Sequence, residues 1–268
     1  MKLSQIWSRW GGDKPPLPQQ FTQPGNSEFA EVAPYYDQLM STVPYKSWVD
    51  YVEALLQRHN RQPRRVLDLA CGTGRVGSEL IRRGYQTCGA DLSEPMVQHC
   101  QTRNPPLPAA VMDACQLALA PQSLDLIVSL YDSLNYILDP TGLQSCFAGV
   151  WRSLTDEGIF IFDLNTELAL RVGLFTQDNL RSSDPLKYSW RSYWYPDREI
   201  CRIDMWFRWE GPGGPHEFEE VHYERAYSES EIRQMLAAAG FSTIVAYNAY
   251  TFKPPTARSD RIFYVAEK

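Results

Sequence analysis

One run of twelve residues, Val66-Leu67-Asp68-Leu69-Ala70-Cys71-Gly72-Thr73-Gly74-Arg75-Val76-Gly77, limits what this chain can fold into more than any other. An apolar segment breaks into a glycine-rich turn. The turn leads into Ser78-Glu79-Leu80-Ile81-Arg82-Arg83, which has helical spacing and stops at Gly84. The pattern is strand, tight turn, helix. Gly72 and Gly74 carry no Cβ, so the backbone there can take conformations closed to other residues and pass close beneath a ligand. The turn forms a floor for a small molecule.

Two ligands suit that floor. Gly72-Thr73-Gly74-Arg75-Val76-Gly77 satisfies G-x-G-x-x-G, and Asp91 follows about twenty residues after the first glycine, where an acid on a ribose is expected. Taken alone, this describes an NAD-dependent oxidoreductase. Asp68 argues for the other ligand. A carboxylate beside the turn repels a pyrophosphate and attracts the ammonium and sulfonium groups of S-adenosylmethionine. The stretch Asp68-Leu69-Ala70-Cys71-Gly72-Thr73-Gly74 resembles the first motif of the class I S-adenosylmethionine-dependent methyltransferases. Phe29-Ala30-Glu31-Val32-Ala33-Pro34-Tyr35-Tyr36-Asp37-Gln38-Leu39-Met40 resembles their entry helix over the cofactor. Asp132-Ser133-Leu134-Asn135-Tyr136 is similar to the D-S-x-N-Y form of the fourth motif in small-molecule methyltransferases, among them aminosugar N-methyltransferases and uncharacterised bacterial relatives. The tail from Tyr227 to Phe241 extends the likeness, which spans residues 28–268.

The resemblance implies a Rossmann-like, mostly parallel seven-stranded sheet. It also implies a donor site built from Asp68, Ala70, Gly72, Gly74, Asp91, Leu92, Asp113, Ala114 and Leu130. Within that set, Asp91 would take both ribose hydroxyls with Leu92 beside the adenine, and Asp113 would meet the adenine amino group with the Ala114 backbone at its ring.

Strand and helix alternate downstream, as in α/β folds. Strands are expected over Gln86–Ala90, Ala109–Met112, Leu124–Leu130 and Gly158–Phe162, with helices from Ser93 to about Arg103 and from Thr141 to Leu154. In a parallel sheet the carboxyl ends share one edge, so Asp68, Asp91, Asp113, Asp132 and Asp163 are expected on one rim. A single aspartate after a strand reads as a helix cap, whereas five in phase point to a site.

Composition narrows the partners. A chain of 268 residues with 44% hydrophobic content suffices for one large domain. Net charge of -6 leaves no positive field to draw in nucleic acid. No N-P-P-Y or D-P-P-Y sequence follows the fourth strand, which disfavours base methylation. Six cysteines without C-x-x-C spacing argue against structural zinc and fit a reducing compartment. No apolar run reaches signal-peptide or membrane-spanning length, so a cytoplasmic protein with no membrane partner is expected.

Residues 1–27, with two tryptophans and several prolines, read as an N-terminal arm. Between 186 and 227 the period changes to two. Cys201, Ile203, Met205, Phe207 and Trp209 fall on one face, and turn residues at 196–199 and 211–214 separate three expected strands of an inserted antiparallel flap. Its aromatics suit either its own underside and a homodimer contact or a wall over the acceptor, with Arg191, Arg202 or Arg208 as an anion clamp. His216 and His222 share a face, but no further ligand completes a metal site. The reading is a methyltransferase acting on nitrogen or oxygen of a small-molecule acceptor. Asp132 and Tyr35 are its candidate catalytic residues, and a non-catalytic S-adenosylmethionine-binding protein is the remaining alternative.

Overall fold

The computed structural model describes residues 14–19, 21 and 29–268; most of the expected arm over 1–27 lies outside the described residues. Two helices come first, α1 (Ala33–Leu39) and α2 (Tyr45–Arg58). Then β1 (Arg65–Leu69), α3 (Arg75–Arg82), β2 (Gln86–Asp91), α4 (Glu94–Cys100), β3 (Ala109–Val111) and β4 (Leu124–Ser129) alternate. They are followed by α5 (Pro140–Ser153), β5 (Leu154–Asn165) and α6 (Glu167–Arg171). The flap strands are β6 (Gln177–Asp178), β7 (Leu186–Tyr195), β8 (Ile200–Trp209) and β9 (His216–Arg225); α7 (Glu229–Ala239), β10 (Thr243–Asn248) and β11 (Arg261–Glu267) complete the chain.

The main sheet runs β10-β11-β5-β4-β1-β2-β3, parallel except for β11, which is antiparallel to β5 and β10. Its central strands are buried on both faces, as parallel strands under helices must be. In β5, Phe160 and Phe162 pack with Phe147 of α5 and Leu236 of α7, while the alternate residues Ile159 and Ile161 pack with Val52 and Leu55 of α2. Local signals agree with the layers: Asp139 caps α5 through Thr141 N–H, and Ser228 with Glu231 forms a capping box on α7.

Three expectations change. α4 ends at Cys100, where Leu107 N–H folds back to the Cys100 carbonyl at 3.1 Å. β5 continues to Asn165 because β11 pairs along it as far as Arg261↔Asn165, so Asp163 lies within the strand and not after it. The flap has four strands, since Gln177 and Asp178 add a short edge to β7. Its apolar face also has a core of its own, shared with Phe29, Val32, Tyr36 and Leu39 from around α1. Among the described residues no helix is long and apolar enough to cross a membrane.

Candidate active site

The carboxyl ends of β1, β2 and β4, the entry helix α1 and the flap enclose a cavity of about 920 Å³. Asp68, Ala70, Gly72, Asp91, Leu92, Asp113, Ala114, Leu130 and Asp132 all line it. Gly74, Asp163 and Tyr35 do not.

At the glycine-turn end, Asp68 Oδ2 accepts a hydrogen bond from Gly77 N–H at 2.8 Å, which ties the end of β1 to the first turn of α3. Only 2% of Asp68 is exposed. Burial pushes its carboxyl up to about 7 despite that hydrogen bond, with the Asp91 charge adding to the rise. Ala70 and Gly72 hold positive φ, 58° and 53°, as the turn requires. A Cβ built on Gly72 would meet nothing within 4 Å, so the backbone there borders open space. Asp91 accepts from Gly72 N–H at 2.7 Å and from Ser93 N–H at 2.9 Å. Each of its oxygens keeps a second lone pair for a ligand hydroxyl. Asp113 Oδ1 accepts from Cys115 N–H at 2.8 Å and so fixes the turn that carries Ala114.

Gly74 serves a different end. At φ 79° it starts α3, and a Cβ there would lie 3.0 Å from Cys100 Sγ and 3.1 Å from Leu107 Cδ2. The missing side chain makes room for Cys100 at the end of α4 and for Leu107.

The entry helix is latched to this floor. Asp37 accepts from Thr73 Oγ1 at 2.8 Å and Arg75 Nε at 3.1 Å, and it also pairs with Arg103. Burial alone would raise the Asp37 carboxyl, but these donors and the Arg103 charge hold it below its ordinary value.

The opposite end of the cavity centres on Asp132, which with Tyr131 takes positive φ, 52° and 72°. Asp163, fully buried behind them, accepts from Tyr131 N–H at 2.7 Å and Asp132 N–H at 3.1 Å and thereby holds this uncommon backbone. The fifth expected rim carboxylate therefore supports the rim from beneath. Arg261 Nη2 lies 2.8 Å from Asp132 Oδ1 and the same guanidinium pairs with Asp163. Asn165 Nδ2 donates to Asp132 Oδ2 at 2.9 Å and to Glu224 Oε2 at 3.2 Å. Glu224 is buried, and desolvation followed by the Asp132 charge pushes its carboxyl well up, towards the neutral form.

Tyr35, expected beside the acceptor, does not line the cavity. Tyr35 stacks on Phe218 at 5.5 Å between ring centres and leans on Trp209 at 5.1 Å, packed into the flap. Tyr36 lines the cavity instead, because α1 lies with that side over the glycine turn. The expected anion clamp is likewise absent from the lining. Arg202 pairs with Asp204, Arg208 with Glu210 and Glu217, and the Arg191 guanidinium bonds the Trp190 carbonyl; Arg198, Arg225 and Arg261 reach the cavity instead.

The strand order, the glycine turn and the acidic rim define the class I methyltransferase architecture. The methyltransferase domain family matches residues 66–158. "Putative methyltransferase YqeM" of Bacillus subtilis (strain 168) is 32% identical over 88% of this chain and 95% of its own. An S-adenosylmethionine-dependent methyltransferase structure from Clostridium acetobutylicum superposes with TM-score 0.76 at 29% identity, covering 90% of this chain and 99% of the other. A Streptomyces venezuelae dTDP-3-amino-3,4,6-trideoxy-alpha-D-glucopyranose N,N-dimethyltransferase is 22% identical over 73% of this chain and 83% of its own. The chain belongs to the S-adenosylmethionine-dependent methyltransferases, and S-adenosylmethionine is its cofactor. The oxidoreductase reading of the same glycines falls.

Proposed function

We propose that the chain methylates a nitrogen of a small-molecule amine held between the acidic rim and the flap. The observation that carries this reading is the cavity itself. At about 920 Å³ it stands near the top of the roughly 300–1,000 Å³ range of ligand pockets. That leaves space under the flap beyond the donor end. The space is walled by Phe29, Tyr36, Tyr136 and Trp190 with Asp132 among them, and aromatic faces beside a carboxylate suit a cationic or amine group. The Streptomyces venezuelae relative, whose name describes methylation of an amino sugar, supports the same choice.

When bound, S-adenosylmethionine supplies a methyl group made electrophilic by the neighbouring sulfonium. The protein's residues then have three tasks. Asp68, the turn around Gly72, Asp91 and Asp113 hold the donor, and α1 with the flap excludes water. Asp132, held by Arg261 and Asn165, orients the acceptor and does not act as a mobile base. The test is incubation with methyl-labelled S-adenosylmethionine and a small-molecule metabolite extract. The expected product carries the label on nitrogen; donor binding with no labelled product would make the chain a passive binder.

A further inference from the structure

The flap strand β9 turns a face into the core on which Phe218, Glu220, His222 and Glu224 are buried while Glu219 and Val221 between them are exposed. Ionisable side chains on a buried strand face are retained at a cost in stability unless they are paired and used. His222 is fully buried yet lines the cavity, as does Tyr136. Tyr136 Oη lies 3.0 Å from His222 Nδ1, and His222 Nε2 lies 2.8 Å from Glu220 Oε2. The other Glu220 oxygen accepts from the backbone N–H groups of Glu31 at 3.0 Å and Val32 at 3.1 Å. A carboxylate facing Nε2 assigns the proton to that nitrogen and leaves the Nδ1 lone pair for the Tyr136 hydroxyl.

We infer that Tyr136, His222 and Glu220 form a proton relay that deprotonates the acceptor before methyl transfer. This rests on the amine reading above. An acceptor ammonium breaks one N–H bond and keeps the electron pair on nitrogen. Its proton bonds to Tyr136 Oη as the phenolic proton moves to His222 Nδ1, and the resulting imidazolium is balanced by Glu220. Tyr136 is the catalytic residue, and His222 and Glu220 act through it. The groups facing His222 are Tyr136 from the turn at Ser133–Tyr136, Glu220 on its own strand, and the Phe29 ring at 4.5 Å from the entry segment. Because the entry segment also supplies the N–H groups that hold Glu220, the relay is complete only when that segment is seated over the acceptor.

The experiment has two arms. Nitrogen NMR of histidine-labelled protein without ligand should show His222 protonated on Nε2 with Nδ1 bare, and Tyr136→Phe should shift the Nδ1 signal and leave the rest of the spectrum in place. A proton on Nδ1 in the wild type overturns the relay. In the second arm, labelling of the metabolite extract is followed against pH for the wild type, Tyr136→Phe and Glu220→Gln, with donor affinity measured alongside. Loss of the relay should lower neutral-pH labelling by about 10²-fold or more, in line with general-base contributions. The loss should shrink as pH rises and solvent deprotonates the amine, with donor affinity unchanged. Variants that retain the wild-type pH profile overturn the relay while methyl transfer stands. A wild type that labels nothing at any pH overturns both.

Discussion

Arg261 and Asp132 lie 2.8 Å apart, and through the same guanidinium Asp163 is joined to them, so one cation at the head of the last strand fastens this end of the rim. Removing that cation leaves two buried carboxylates uncompensated. Arg261→Met is therefore expected to cost about 3–5 kcal/mol, the usual price of breaking a buried pair from one side. Asp132→Asn should cost less, because Arg261 keeps Asp163. Denaturant unfolding of both variants checks the order; equal losses would mean that Asp163 does not share the charge.

The Asp68 carboxyl sits near neutrality, at about 7, because burial outweighs its bond from Gly77. Its ordinary value is 3.8, so between about pH 4 and pH 7 the folded protein binds a proton that the unfolded chain has released. Folding stability from this group therefore falls as pH rises through that window. Affinity for the cationic cofactor should move the other way, rising as Asp68 ionises and levelling above about pH 7. Asp68→Asn should flatten both dependences, as calorimetric titration and denaturation at several pH values would show; an unchanged affinity profile would place the titrating group elsewhere.

Asp91 binds Gly72 and Ser93 and still has lone pairs for the ribose hydroxyls. Hydrogen bonds to a charged group contribute about 1.5–3 kcal/mol each, so Asp91→Ala should weaken S-adenosylmethionine binding on the order of tenfold to a few hundredfold. Unchanged affinity with the fold intact would remove Asp91 from the site.

Gly72 and Gly74 should separate, although both have positive φ. Gly72→Val should keep most stability beyond the cost of a left-handed residue, about 1–2 kcal/mol, while abolishing cofactor binding by filling the open floor. Gly74→Val should lose stability first, since its side chain would press on Cys100 and Leu107. The two are told apart by measuring unfolding and donor affinity on each.

What the sequence makes legible is what lies close along it. The glycine turn with Asp68 and the strand-end acids are local patterns, and they predict the donor end and the parallel sheet. The acceptor end is assembled from residues that no local period joins. Tyr136 and His222 are 86 positions apart, and Arg261 is 98 from Asp163. Tyr35 and Tyr36 differ by one step on a seven-residue helix with an aromatic at each, too short a stripe to choose between them. Two signals were available. Arg261 is a cation heading a final strand whose next five residues are apolar or aromatic, and Glu220, His222 and Glu224 fall in phase with Phe218, so ionisable groups occupy the face that Phe218 marks as buried. The flap's short fourth strand left no trace, since two residues carry no period.

In the proposed function one cavity has a donor end on the sheet rim and an acceptor end under the flap. Removing the whole flap would not test it, because Phe29, Val32, Tyr36 and Leu39 pack against the flap while Asp37 latches the same helix to the glycine turn. A single substitution does. Met205 lines the cavity from β8, and Met205→Trp should fill the acceptor end at an overpacking cost of about 1–3 kcal/mol. Donor affinity and labelling of the metabolite extract, measured on that one variant, should part company, with affinity staying within a few-fold of wild type and methyl transfer lost. Equal loss of both, in a protein still folded, would contradict the division of the cavity, and undiminished transfer would place the acceptor elsewhere.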